Sequence, residues 1–206
     1  NIFLISFLMS SSWVNINTTE IERESISLLN SNIDNTIIEF TLDDFYLQDV
    51  EINNDTYNIV KIFKGAANLN LGHPNLPHIS KSIIIPDDSS MQLEILNADY
   101  IEYDNIDIAP SKGNLSRNVN PDEIDYEFNE IFQENAFYPE NIVSLREPYI
   151  LRDLRGQTVV FTPFQYNPIE KILKVFTKIT VKVYNDGAGQ INVLNREKSL
   201  DKVDLE

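Results

Sequence analysis

Between Lys171 and Tyr184 the chain alternates more cleanly than anywhere else. Leu173, Val175, Ile179, Val181 and Val183 share one parity, with Thr177 interrupting. Lys174, Lys178, Thr180 and Lys182 share the other, with Phe176 as the exception. Residues two apart lie on one face of a strand, so the pattern predicts a long strand buried on one side and wet on the other. Asn185-Asp186-Gly187 closes it. Shorter runs of the same kind precede it. Thr36 to Leu42 puts Ile38, Phe40 and Leu42 on one face, and Phe45 to Val50 and Tyr57 to Phe63 follow. Asn53-Asn54-Asp55 between the last two is the clearest hairpin signal. Ser82 to Ile85 is extended and is closed by the turn Pro86-Asp87-Asp88. Met91, Leu93 and Ile95 alternate, and Ile101 and Tyr103 resume that period after a break near Asn97. Ile124, Tyr126 and Phe128 alternate in turn and predict a further strand. There is no βα alternation, long helical pattern or internal repeat. The fold class expected is all-β, an antiparallel β-sandwich or Greek-key roll over residues 36–190.

Charge and composition narrow the function. Lys plus Arg number 16 against 32 Asp plus Glu, a formal charge of -16 in 206 residues. Such a surface repels nucleic-acid phosphates and anionic lipid, so neither is an expected partner. Cysteine is absent, which excludes disulfides, thiolate metal sites and a cysteine nucleophile on this chain. His73 and His78 sit beside prolines in one loop without metal-ligand spacing, so no metal is expected, and no cofactor motif occurs. Acidic pairs are too common for any one of them to mark a catalytic dyad.

Two stretches stand apart from ordinary β-sequence. Pro148 to Pro168, PYILRDLRGQTVVFTPFQYNP, sets Arg152 and Arg155 around Asp153. This reads as a polar clamp in which the carboxylate is shared by two guanidinium forks, or as an interface. Gly156 then suits a tight reversal. Residues 109–121 form a long polar loop holding the isolated bases Lys112 and Arg117. Its Ser-Lys-Gly is no phosphate loop, because the preceding glycines are missing.

Four blocks in order resemble the N-terminal propeptide of gingipain-type cysteine peptidases (peptidase family C25): LGHPNLPHIS at 71–80, IAPSKGNLSRNVNPDEIDYEF at 108–128, FYPENIVSL at 137–145, and PYILRDLRGQTVVFTPFQYNP at 148–168. The resemblance implies an all-β, non-catalytic prodomain whose partner is a caspase-like cysteine peptidase domain of the same precursor. It also implies export from a Bacteroidetes-type bacterium through the periplasm to the exterior or the cell surface. In arginine-specific members an arginine after the Ser-Lys-Gly motif enters the specificity pocket; the matching residue is Arg117, with Lys112 its rival for a lysine-selective enzyme.

The termini complete the expectations. Residues 1–12, apolar then small, resemble the end of a signal peptide and are too short to span a bilayer. Residues 13–35 read as a poorly structured lead-in, and 191–206 as an exposed linker. Within that linker Arg196, with Lys198 and Lys202 behind it, is the candidate maturation site. The competing function is a surface carbohydrate-binding or adhesion sandwich. Tyr100, Tyr103, Tyr126, Phe137 and Tyr138 would stack on sugars and acidic loops would hold Ca²⁺, although no EF-hand-type loop occurs.

Overall fold

A computed structural model of the chain describes residues 11–16 and 25–196. Among the described residues twelve strands make three antiparallel sheets. The largest is built on β12 (Ile172–Ala188), the strand the alternation predicts. One edge of β12 pairs first with β11 (Phe164–Asn167) and then with β3 (Asn35–Thr41), which carries β2 (Ser25–Ser31) outside it. The other edge pairs along its length with β7 (Ser89–Tyr103). A second sheet orders β1 (Ser11–Asn15), β4 (Asp44–Ile52) and β5 (Asp55–Lys61). The third centres on β10 (Leu154–Phe161), flanked by β6 (Ile79–Ile84) on one edge, and by β8 (Val143–Leu145) and β9 (Tyr149–Leu151) on the other.

One apolar core joins the three sheets. Ile38 and Phe40 of β3 and Val175, Ile179, Val181 and Val183 of β12 pack with Phe45, Leu47 and Val60 of the second sheet and with Val159 and Phe161 of the third. Phe40 stacks on Phe161 at 5.5 Å, and Phe45 meets Phe164 edge-on at 5.5 Å. The all-β class is therefore observed. Lysines on the outer face of β12 meet carboxylates across the ladder, Lys178 to Glu39 at 2.9 Å and Lys174 to Glu102 at 3.5 Å. The hairpin at Asn53-Asn54 is also observed. Both residues have positive φ, and Ile52 pairs directly with Asp55, the geometry a two-residue hairpin loop requires.

Other expectations need correction. The break near Asn97 does not divide two strands. It is a bulge, since Val181 pairs with Ile95 and Thr180 with Asn97, leaving Leu96 over. Thr177 is the matching extra residue on β12. The strand expected at Ile124–Phe128 is absent: 3₁₀ turns at Pro121–Glu123 and Glu130–Gln133 bracket an irregular segment. Its aromatic spacing serves separate ring contacts, Tyr126 beneath Lys112 and Phe128 against Tyr57 and Phe132.

The lead-in over 13–35 is ordered wherever it is described. β1 pairs with β4 and sets Trp13 on Tyr46, and β2 pairs with β3. β2 is an edge strand with Leu28 and Leu29 exposed, so backbone pairing rather than burial holds it and no alternation betrays it. Ser11 and Ser12, placed with the signal remnant, belong to β1; residues 1–10 lie outside the described residues.

Residues 191–196 do not run out of the domain either; they lie stitched along its side, as described below. No helix among the described residues is long and apolar enough to cross a membrane.

Candidate functional site

Parts of the four blocks of sequence contact one another. Residues 72–75 form a rail between two other segments. On one side Gly72 N–H donates to the Ser111 carbonyl at 2.9 Å, Ser111 N–H to the His73 carbonyl at 2.7 Å, and Asn75 N–H to the Ala109 carbonyl at 3.0 Å. On the other side Asn129 N–H donates to the Gly72 carbonyl at 3.0 Å. The loop between Ser111 and Asn129 thus leaves from and returns to a single residue. Tyr138 braces the rail from behind: its hydroxyl accepts from Asn68 Nδ2 at 3.1 Å and its ring lies 5.2 Å from His73. Tyr138 is in turn held to Tyr166 by paired backbone bonds of 2.9 and 2.8 Å. Ser111 is buried; its hydroxyl donates to the Asn68 carbonyl and accepts from Gly113 N–H. Nearby, burial followed by the charge of Arg146 pushes the His78 imidazole below its ordinary pKa.

Gly72 has φ +76, a conformation that side chains with a Cβ resist. A Cβ there would also stand 3.1 Å from Asn129 N and 3.3 Å from the Glu127 carbonyl oxygen. Glycine is what lets the loop's two ends close on the same point.

Within the loop the two candidate bases differ. Lys112 is engaged internally. Its ammonium donates to the Pro121 carbonyl at 2.7 Å and sits 4.1 Å from the centre of the Tyr126 ring. It also lines a recess of about 430 Å³ with Glu51, Asp122 and Asp125. Arg117 is exposed and has no hydrogen-bond or ion-pair partner among the described residues. It rides the tip of a turn closed by Val119 N–H to the Ser116 carbonyl at 3.0 Å.

The cluster at 152–155 is not the clamp expected. No ion pair joins Asp153 to Arg152 or Arg155. Arg155 is 1% exposed and spends its fork on four main-chain carbonyls: Pro86 at 2.8 Å and Ser89 at 2.7 Å, with Asn192 at 2.7 Å and Ile191 at 2.9 Å. Arg152, at φ 58, makes the turn between β9 and β10. Gly156 lies inside β10, where a Cβ would fall 2.7 Å from the Tyr149 ring; it makes room for that ring rather than reversing the chain. The nearest main-chain carbonyls, rather than the nearest carboxylate in sequence, satisfy the arginine.

Arg196 is paired too. Its guanidinium donates to both oxygens of Asp87, at 2.6 and 3.2 Å, and to the Asp153 carbonyl at 2.9 Å. That bond holds the Asp87 carboxyl below the usual carboxylate range. Lys198 and Lys202 lie outside the described residues. No group of His, Cys, Asp and Glu among the described residues is arranged to hold a metal ion. Sequence reasoning missed Gly72 and Asp87. Gly72 was visible only as a loop glycine before a proline, and Asp87 only as part of a turn.

Residues 17–205 match the Propeptide_C25 family. The chain belongs to this family. It is 36% identical over 162 residues to gingipain R1 of Porphyromonas gingivalis, covering 79% of this chain and 16% of that protein. It is 33% identical over 174 residues to gingipain R2 of the same species, covering 84% of this chain and 24% of that protein. The C25 propeptide therefore spans less than a quarter of the length of either relative. Among solved structures it superposes on a complex of Porphyromonas gingivalis RgpB pro- and mature domains with a TM-score of 0.78 and 34% identity, covering 82% of this chain and 87% of the matched one. It shares its fold with a structure describing the zymogenic latency of gingipain K, at a TM-score of 0.72, 18% identity, 87% of this chain and 100% of that one.

The anchorage makes a prediction for this C25 propeptide. Gly72→Ala strains the rail and drives apart the two ends of the loop. The expected result is a loss of about 1–3 kcal/mol of stability, with amide exchange accelerated at Gly72, Ser111 and Asn129 before the β12 core. Unchanged protection at those three amides refutes the anchoring role.

Proposed function

We propose that the chain is the propeptide of a secreted gingipain-type cysteine endopeptidase. It keeps the enzyme latent by laying the loop 112–128 in the active-site cleft with Arg117 in the specificity pocket, and it assists folding and export. Its partner is the caspase-like peptidase domain of the same precursor, met outside the cytoplasm on the route through the periplasm. The observation that carries this reading is the contrast between the two bases. Lys112 is tied to the Pro121 carbonyl and the Tyr126 ring, whereas Arg117 stands free at a turn tip on a loop whose ends are fixed. A pocket selecting arginine needs a guanidinium delivered without first breaking another bond, and rigid delivery limits the ordering cost of binding. The likeness to a complex of pro- and mature domains supports the same reading.

The experiment adds the purified chain to a mature arginine-selective gingipain and follows hydrolysis of an arginyl substrate. One-to-one, tight inhibition is expected. Absence of inhibition, together with binding to a glycan array, would instead support the adhesion module.

A further inference from the structure

The segment after β12 is held to the domain by four independent sets of contacts. Gly189 N–H donates to the Asp88 carbonyl at 2.7 Å and Leu194 N–H to the Asp87 carbonyl at 2.9 Å. Arg155 grips the carbonyls of Ile191 and Asn192 from inside. Asn192 Nδ2 donates to the Pro148 carbonyl at 2.7 Å. Arg196 closes the row through its fork on Asp87 and its bond to the Asp153 carbonyl.

We propose that residues 189–196 form a latch that shields the peptide bond after Arg196 from arginine-directed peptidases while the domain is folded, with Asp87 as its catch. The latch depends on this chain's own contacts alone, whether or not Arg117 blocks an enzyme. Cleavage adds water across the Arg196–Glu197 amide, leaving a carboxylate on Arg196 and an amine on Glu197. A peptidase that selects arginine must first draw the guanidinium into its pocket and pair with the extended backbone just before the bond. Here the guanidinium is bound by Asp87 and Asp153, and Leu194 N–H, two residues upstream, is also bound. The row must therefore open before the bond can be cut, and cutting tracks the open fraction. Arg117, whose guanidinium is exposed and unpaired, needs only the one turn bond between Val119 and Ser116 to open. An arginine-directed enzyme consequently meets Arg117 as available and Arg196 as withheld.

The test is limited digestion of the full 206-residue chain with trypsin. Mass spectrometry follows the bonds after Arg117 and Arg196 in the same samples. Each rate is divided by that of the same bond in a synthetic peptide, which removes the enzyme's own sequence preference. In the wild-type chain the normalised rate after Arg196 is expected to be lower than that after Arg117. Asp87→Ala should raise the rate after Arg196 by about threefold, the scale of one exposed ion pair, and leave that after Arg117 unchanged. Asp87→Glu should restore part of the protection. Should Asp87→Ala perturb folding, raising the salt to about 0.5 M on the wild-type chain screens the same pair and should shift the ratio in the same direction. Equal normalised rates in the wild type, or a ratio that neither Asp87→Ala nor salt alters, overturns the latch.

Discussion

Arg117→Ala is expected to weaken inhibition of an arginine-selective C25 peptidase by about thirtyfold or more, without altering the far-ultraviolet dichroism of the domain. Truncating one partner of a buried, hydrogen-bonded charge pair costs about 2–5 kcal/mol, and each 1.4 kcal/mol is about a factor of ten. Nothing among the described residues compensates, because Arg117 has no partner there to lose. The same absence predicts that the variant folds as well as the wild type. Arg117→Lys should fall between the two, since an ammonium lacks the planar fork. Lys112→Ala should weaken inhibition less, and by loosening the loop, because its ammonium is occupied by Pro121 and Tyr126. If Lys112→Ala proves the more damaging of the two, the roles of the bases are reversed and the enzyme selects lysine.

The largest stability effect is expected at Arg155. Arg155→Met keeps much of the side-chain volume but leaves four carbonyls without their donor, that of Ser89 in a buried bond, and should cost about 3–5 kcal/mol in urea unfolding. Hydrogen bonds to a charged group are stronger than neutral ones, and the bond to the Ser89 carbonyl is buried. Arg155→Lys should recover less than half of the loss, because three donors on a point charge cannot reach carbonyls spread over two segments. Amide exchange gives a second readout. In Arg155→Met the amides of Gly189 and Leu194 should lose protection before those of β12. A loss under about 1 kcal/mol would mean that the carbonyls find other partners and that Arg155 is not the peg.

Pairing that buries side chains was legible in the sequence; pairing held by the backbone was not. β12 and β3 could be read because one face of each is buried, and burial imposes a period of two. β2 could not, since an edge strand lined with Ser and Asn carries no such period. At Ile124–Phe128 the period was present without a ladder, because two rings two residues apart can also serve unrelated contacts. The charge cluster misled for a different reason. A carboxylate two residues from an arginine is near in sequence, but Arg155 points inward to Pro86, Ser89, Ile191 and Asn192, partners as many as 69 residues away. Arg117 was singled out by family resemblance and by being a lone base in a polar loop. The contrast with Lys112 needed coordinates, since both are isolated bases in the sequence and only one is tied down.

The meeting of both loop ends on Gly72 has an evolutionary consequence. A loop with a fixed, nearly closed base is a replaceable cassette: its tip can change in length or chemistry while the sheets beneath it stay in register. Doubling such a loop adds only about 0.6 kcal/mol of closure cost, and one codon at position 117 changes the side chain offered at its tip. If Arg117 fills the pocket as proposed, the selectivity of the propeptide can follow a change in its enzyme's pocket without passing through an unfolded intermediate sequence. The rail at 72–75, rather than the tip it carries, is where change is least tolerated.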